Sequence, residues 1–252
     1  MKTLYSLLVL ALTLAAPKLR ANTYVKMDSS VGTMIFELYD LEKPLTVQLF
    51  LSCLGQADLF SPNYIGAYAH RATNNYIAQA GNYGVQDWSA YGFGLRNVSL
   101  PITPDGAVRN ELNYGQLIPN TYGTISMVPW TPSPGSTNTF VTSGFVFNLN
   151  DNPNLDDPSF GGGFPVFGHL VSGWDAFALL NPTNGNPALR VTNFSSNLPE
   201  LPVRASAGPT LTYDDFIYLN MSQTAVPEPT TLTFLVGAGV VGILWRRHAR
   251  TR

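Results

Sequence analysis

Arg71 and Gln79 are the residues of this chain whose types and spacing point to chemistry. Tyr68 and His70 lead into Arg71, and Tyr76 and Ile77 lead into Gln79, so apolar and polar positions alternate as in two short strands. Strands of that kind set a guanidinium and a carboxamide on one face beside apolar groups, which suits a polarised but uncharged ligand group. Competing chemistry is sparse. The three histidines, His70, His169 and His248, lie far apart and there is one cysteine, so a zinc or haem site has little support. Cys53, among Phe50, Leu51 and Leu54, reads as a buried apolar thiol, and a single cysteine excludes an internal disulfide. At Asp151, Asp156 and Asp157 a calcium site competes with a solvated loop, and the spacing departs from an EF-hand. Gly161-Gly162-Gly163 reads as a turn before Phe164 and not as a phosphate loop, because no helical pattern follows.

The elements that must carry these residues are mostly strands. Val25 to Asp28 and Thr33 to Tyr39 alternate around Ser29-Ser30-Val31-Gly32 and predict a hairpin. A helix is expected after Pro44, with Leu45, Leu49 and Cys53 on its apolar face, and a second from Gly173 to Leu180 with Trp174, Phe177 and Leu180 on one side. Further strands are expected at Tyr68 to Ala72, Tyr76 to Gly81, Thr124 to Met127, Phe145 to Leu149, Val166 to Leu170 and Phe216 to Asn220. Asp87 to Arg109 and Asn181 to Tyr213, rich in Pro, Gly, Asn and Ser, read as long surface excursions. The formal net charge of −2 and a charged fraction of 12% leave no basic patch, which argues against nucleic acid as a partner.

These residues and their order resemble the cyclophilins, the peptidyl-prolyl cis-trans isomerase family. The family's Phe-His-Arg step and following Phe-Met-x-Gln-Gly-Gly read here as Ala69-His70-Arg71 and Tyr76-Ile77-Ala78-Gln79-Ala80-Gly81. Val25 to Tyr39, Lys43 to Leu54, Asn110-Glu111, Gly123 to Met127, Phe145 to Asp151, Leu155-Asp156 and Pro165 to Gly168 continue the series, so the likeness covers Asn22 to Asn220. It implies a mainly β fold: a closed eight-stranded antiparallel barrel capped by two helices, without exposed sheet edges. It implies isomerisation of Xaa-Pro bonds in proline-containing peptides or unfolded proteins, with no cofactor and no metal. Arg71 takes the catalytic role, and Gln79 orients the arginine and the substrate carbonyl. Tyr76, Ile77, Val146, Leu155, Phe164 and Phe167 form the substrate pocket, with Asn154 at a further pocket position.

The chain departs from the family pattern at several of these places. Ser143-Gly144-Phe145-Val146 replaces Ser-Gln-Phe-Phe, which removes an amide and a pocket-floor ring, and Val128-Pro129-Trp130 replaces Ala-Asn-Ala. Asn154 stands for a tryptophan and Phe164 for a histidine. A competing expectation is therefore a catalytically weak binding or surface-structural protein of the same fold, and a periplasmic chaperone acting through the barrel surface is a third. Arg71 as a surface ion-pair partner is the plain alternative to its catalytic role. His70 reads as a core histidine with a hydrogen-bonded ring, and His169 as exposed or structural.

The ends of the chain address it. Lys2 and the apolar run Leu4 to Ala16 predict an export signal cleaved around Ala16 or Ala21. Val226-Pro227-Glu228-Pro229, the apolar stretch Thr230 to Trp245 and a tail with Arg246, Arg247, Arg250 and Arg252 resemble the PEP-CTERM sorting signal of Gram-negative bacteria, read by an exosortase. A plain membrane anchor is the alternative, although the apolar stretch is shorter than the ~20 residues of a typical span. The expected division is a signal peptide over 1–21, a cyclophilin-like domain over 22–222, and a sorting segment with a short transmembrane helix and basic tail over 223–252. The protein is expected to be exported to the cell envelope or extracellular matrix, with membrane contact through its C-terminal segment at least transiently.

Overall fold

Alternating side chains dictate the first hairpin, strands β1 (Tyr24–Ser29) and β2 (Gly32–Leu38). Val25, Met27, Met34, Phe36 and Leu38 point inward and are fully buried. A computed structural model describes residues 22–54, 66–86, 94–97, 107–132, 138–183 and 186–224. The expected signal segment and the C-terminal apolar stretch lie outside the described residues. Helix α1 (Pro44–Leu54) follows, opened by its proline. The Glu111 carboxylate accepts from the amides of Leu45 and Thr46 at 3.2 and 2.8 Å, so a negative group caps the positive end of the helix. The buried Lys43 ammonium donates to the carbonyls of Glu111 and Tyr114 at 2.7 and 2.9 Å and fixes the same corner.

The inward face of α1 is Thr46, Val47, Leu49, Phe50 and Cys53. Leu45, expected on that face, is exposed instead. Each residue turns the helix by about 100°, so Leu45 falls beside the arc of Thr46, Phe50 and Cys53 and not on it.

The remaining strands are β3 (Arg71–Ala72), β4 (Ile77–Ala80), β5 (Tyr83–Gln86), β6 (Gly94–Asn97), β7 (Val108–Arg109), β8 (Thr124–Trp130), β9 (Phe140–Asn148), β10 (Val166–Ser172), β11 (Leu189–Thr192), β12 (Leu201–Arg204) and β13 (Leu219–Thr224). Helix α2 (Trp174–Ala178) follows β10. It packs Phe177 against Phe36 and Phe147, and Gly32, at φ 134°, leaves the space that Ala176 needs. Phe50 meets Phe145 and Phe167 at ring distances of 5.4 and 4.9 Å, so the two helices and the sheet enclose one apolar core.

The main sheet has nine strands in the order β13-β1-β2-β10-β8-β9-β4-β3, with β7 also paired to β9. It is an open half-barrel, which corrects the expected closed eight-stranded barrel. Its ends meet through one isolated bridge, Tyr68 to Tyr218, with Ala69 N donating to Ile217 O and Leu219 N to Ala67 O, both at 2.8 Å. Residues 67–70 divide their backbone pairing among the segments that carry Gly84, Ile217 to Leu219, and Gln79, so no ladder longer than a bridge forms there. The two excursions also differ from the expectation of plain loops. In the first, β6 pairs with β5, which directly precedes the excursion, and β11 and β12 form a hairpin in the second. The second buries Leu198, Leu201, Val203 and Leu211 against Tyr68 and Phe216 in a core of its own.

Candidate functional site

The site is built on the β3–β4 hairpin. Its turn needs a left-handed residue, which Asn75 supplies at φ 50°. Asn181 holds that turn by accepting from the Asn75 amide at 2.9 Å and donating to its side chain at 2.8 Å. The register then sets Arg71 opposite Gln79, Gln79 opposite Val146, and Val146 opposite Ser126. Directly opposed residues share a face of the sheet, so Arg71, Gln79 and Val146 form one row. Strands lie about 4.8 Å apart, which puts the Arg71 backbone about 10 Å from Val146, within reach of an extended arginine bound to something seated between them.

On that face Ile77, Val146 and Leu155 form a dry floor, and the half-buried Tyr76, Val128 and Phe164 surround it. Five of the six expected pocket residues therefore converge. Phe167 does not. It is fully buried in the main core against Phe50, because a strand alternates its faces and Phe167 is one residue out of step with Val166, which pairs with Ser126. Asn154, expected at the pocket, donates to the Tyr76 hydroxyl at 2.8 Å and steadies that ring.

A buried amide network behind the floor holds its walls. Asn120 donates to Asp156 at 2.7 Å and to the Phe164 carbonyl at 2.9 Å, and accepts from Ser126 and Asn148. Asn148 accepts from Asn152 at 2.9 Å, which also donates to the Tyr76 carbonyl at 3.0 Å. Gly162 and Gly163 lie in the turn that leads into Phe164. Both have positive φ, and a Cβ there would lie 2.4 Å from Thr139 and 2.3 Å from Leu112.

Arg71 donates from Nε to Glu200 Oε2 at 2.6 Å, with the two side chains 46% and 38% exposed. Among the described residues its Nη groups have no hydrogen-bond partner, and no side-chain bond joins it to Gln79, its backbone partner across the β3–β4 ladder. Over Gly144 the Asn82 carboxamide fills the side-chain space, since a Cβ there would be 2.1 Å from Asn82 Oδ1. Asp156 and Asp151 accept from the amides of Asn120 and Tyr122, and Asp157 from that of Ser159, which makes the acidic cluster an anchor for its loop. Two other clefts, about 520 and 540 Å³, share Asn110, Asn113 and Thr139 and contain none of the expected site residues.

His70 is buried beside Arg71, and its ring meets Tyr83 edge-on at 4.8 Å. Among the described residues its Nδ1 has no hydrogen-bond partner. Burial, and then the Arg71 charge, push its pKa down to about 4. The unfolded imidazole takes its proton near 6.5, so between that pH and 4 the unfolded state binds the extra proton and stability falls with acidity. The loss at the acid end is on the order of 3 kcal/mol. Melting curves should show a steeper fall for the wild type than for His70→Leu across this window, and parallel slopes would mean that the folded ring protonates freely. His169 stacks on Tyr39 at 5.4 Å, away from this row.

Comparison with known proteins shows the family and the fold. Residues 24–193 match the family described as cyclophilin type peptidyl-prolyl cis-trans isomerase/CLD, and residues 225–247 match the PEP-CTERM protein-sorting motif. A peptidyl-prolyl cis-trans isomerase of Acinetobacter baylyi is 27% identical over 73% of this chain and 83% of its own. Peptidyl-prolyl cis-trans isomerase A of Dickeya dadantii is 30% identical over 66% of this chain and 76% of its own. The crystal structure of a cyclophilin type isomerase of Cryptosporidium parvum, obtained in the presence of the dipeptide Ala-Pro, shares the fold. It aligns with a TM-score of 0.50 at 15% identity, covering 81% of this chain and 99% of that one. The fold is thus the mainly β cyclophilin fold with two helices. The chain belongs to the cyclophilin-type peptidyl-prolyl cis-trans isomerase family and is an enzyme of that class.

Proposed function

We propose that the protein isomerises Xaa-Pro bonds of exported proteins or peptides, with Arg71 as the catalytic donor and Ile77, Val146, Leu155, Tyr76 and Phe164 receiving the proline ring. Resonance makes the imide resist rotation by roughly 18–20 kcal/mol. A guanidinium donating toward the prolyl nitrogen localises its lone pair and stabilises the twisted state more than either planar one. The observation that carries this reading is the row that sets Arg71, its Nη donors unspent, on the same sheet face as a dry apolar floor. Gln79 is the proposed partner of the substrate carbonyl, and Asn82 lays a second carboxamide on the rim where Gly144 has no side chain.

The export half of the proposal rests on the PEP-CTERM motif and on the signal-like first 21 residues, with 22–222 as the catalytic domain. An exosortase-type enzyme is the proposed reader of Pro227-Glu228-Pro229. Among the described residues no helix is long and apolar enough to cross a membrane, and transient anchoring through the C-terminal stretch stays part of the proposal. Binding without turnover is the second reading, favoured by Gly144, Val146 and Pro129, which replace groups of the family pocket. Exchange spectroscopy on a short Xaa-Pro peptide separates the two. The purified protein is expected to accelerate interconversion well beyond the uncatalysed rate, and an unchanged rate with saturable binding would favour the second reading.

A further inference from the structure

We infer that Glu200, carried by the β11–β12 excursion, is the positioning residue for Arg71. The inference rests on Arg71 being the catalytic donor proposed above. An arginine this exposed, on a strand as short as β3, has many rotamers, and an unheld guanidinium spends most of its time away from any one target. Glu200 is built to remove that freedom. Its carbonyl accepts from the Ala72 amide at 2.9 Å, and its carboxylate accepts from Arg71 Nε at 2.6 Å and from Thr73 Oγ1 at 3.3 Å. Backbone and side chain are thus both tied to residues 71–73. The carrier is rigid as well, because Leu198 and Leu201 flank Glu200 and are buried in the second core with Val203, Leu211, Tyr68 and Phe216. The engaged atom is Nε, so the Nη groups stay available to a substrate imide. The Gln79 side chain, in the facing strand, makes no bond to the Arg71 guanidinium among the described residues and is left to the substrate.

The test is a double-mutant cycle on the full chain, read with a short Xaa-Pro peptide. Glu200→Ala should lower kcat roughly five- to tenfold with KM unchanged, because lost orientation weakens an interaction made in the transition state. Glu200→Gln, which keeps an acceptor for Nε, should restore most of the rate. In an Arg71→Ala background, Glu200→Ala should change nothing further. Equal losses in both backgrounds, an unchanged kcat, or a faster Glu200→Ala enzyme would each overturn the inference. A wild type without activity would instead overturn the proposed function on which it rests. Should Glu200→Ala lower the melting temperature markedly, the Arg71 Nε–H resonance, assigned by its loss in Arg71→Lys, decides the matter in Glu200→Gln. A shift and faster solvent exchange than in Thr73→Ala are expected, and an unmoved signal overturns the pairing.

Discussion

Arg71→Ala is expected to lower kcat/KM for a short Xaa-Pro peptide by roughly a hundred- to a thousandfold and to leave the melting temperature almost unchanged. The catalytic part follows from what the site lacks. Its floor is apolar, its amides are neutral, and the neighbouring imidazole is held uncharged by burial, so Arg71 is the one cation on the row from β3 to β8. Removing a donor aimed at developing charge in such a setting typically costs about 10²- to 10³-fold. The stability part follows from exposure, since an ion pair as solvated as Arg71–Glu200 contributes about 0–1 kcal/mol. Arg71→Lys should recover little, because an ammonium cannot hold Glu200 through one nitrogen and present a planar pair of donors with the others. The effect should fall on kcat with KM near the wild-type value. Retention of activity within threefold in the alanine variant would remove Arg71 from the reaction.

Much of this arrangement was legible in the sequence for a simple reason: period-two alternation fixes which side chains share a face. Arg71, Gln79, Ile77 and Val146 are on one face because strand parity puts them there, and the hairpin at Val25 to Tyr39 was readable from the same signal. Phe167 shows the limit of matching residues by type, because its neighbour Val166, not the ring itself, has the parity of Ser126. Leu45 shows a similar limit for helices, where a four-residue spacing drifts by about 40° per step and so carries Leu45 off the arc of Thr46, Phe50 and Cys53. Glu200 was illegible because the contact spans 129 positions and its carrier looks like a loop. Pro199 and Pro202 mask the apolar residues, Leu198, Leu201 and Val203, that give this excursion its core. Barrel closure was equally beyond reach, since it depends on whether residues 67–70 spend their amides on one partner or on three.

The amide network behind the floor left one faint trace in the sequence, an asparagine at position 148 directly after the apolar run Phe145 to Phe147, and it carries the largest stability effect expected here. Asn120→Ala should cost about 3–5 kcal/mol of folding free energy and lower the melting temperature on the order of 10 °C. The side chain is almost wholly buried and serves four partners at once: the Asp156 carboxylate, the Phe164 carbonyl, the Ser126 hydroxyl and the Asn148 amide. Truncation leaves each of them short of a bond where water cannot easily replace it, and an unsatisfied buried group costs about 1–3 kcal/mol. Asp151→Ala is the control, because that exposed carboxylate caps a single amide and its loss should stay below about 1 kcal/mol. Activity should respond as well, even far below the melting transition. Phe164 and Leu155 frame the apolar floor from the loop that Asn120 ties down, so a loosened loop weakens proline binding and raises KM. This pattern is the reverse of that expected for Arg71→Ala, where kcat falls and KM stays. A melting temperature within 2 °C of the wild type in Asn120→Ala, measured beside Asp151→Ala, would mean that the loop is held by its apolar contacts alone.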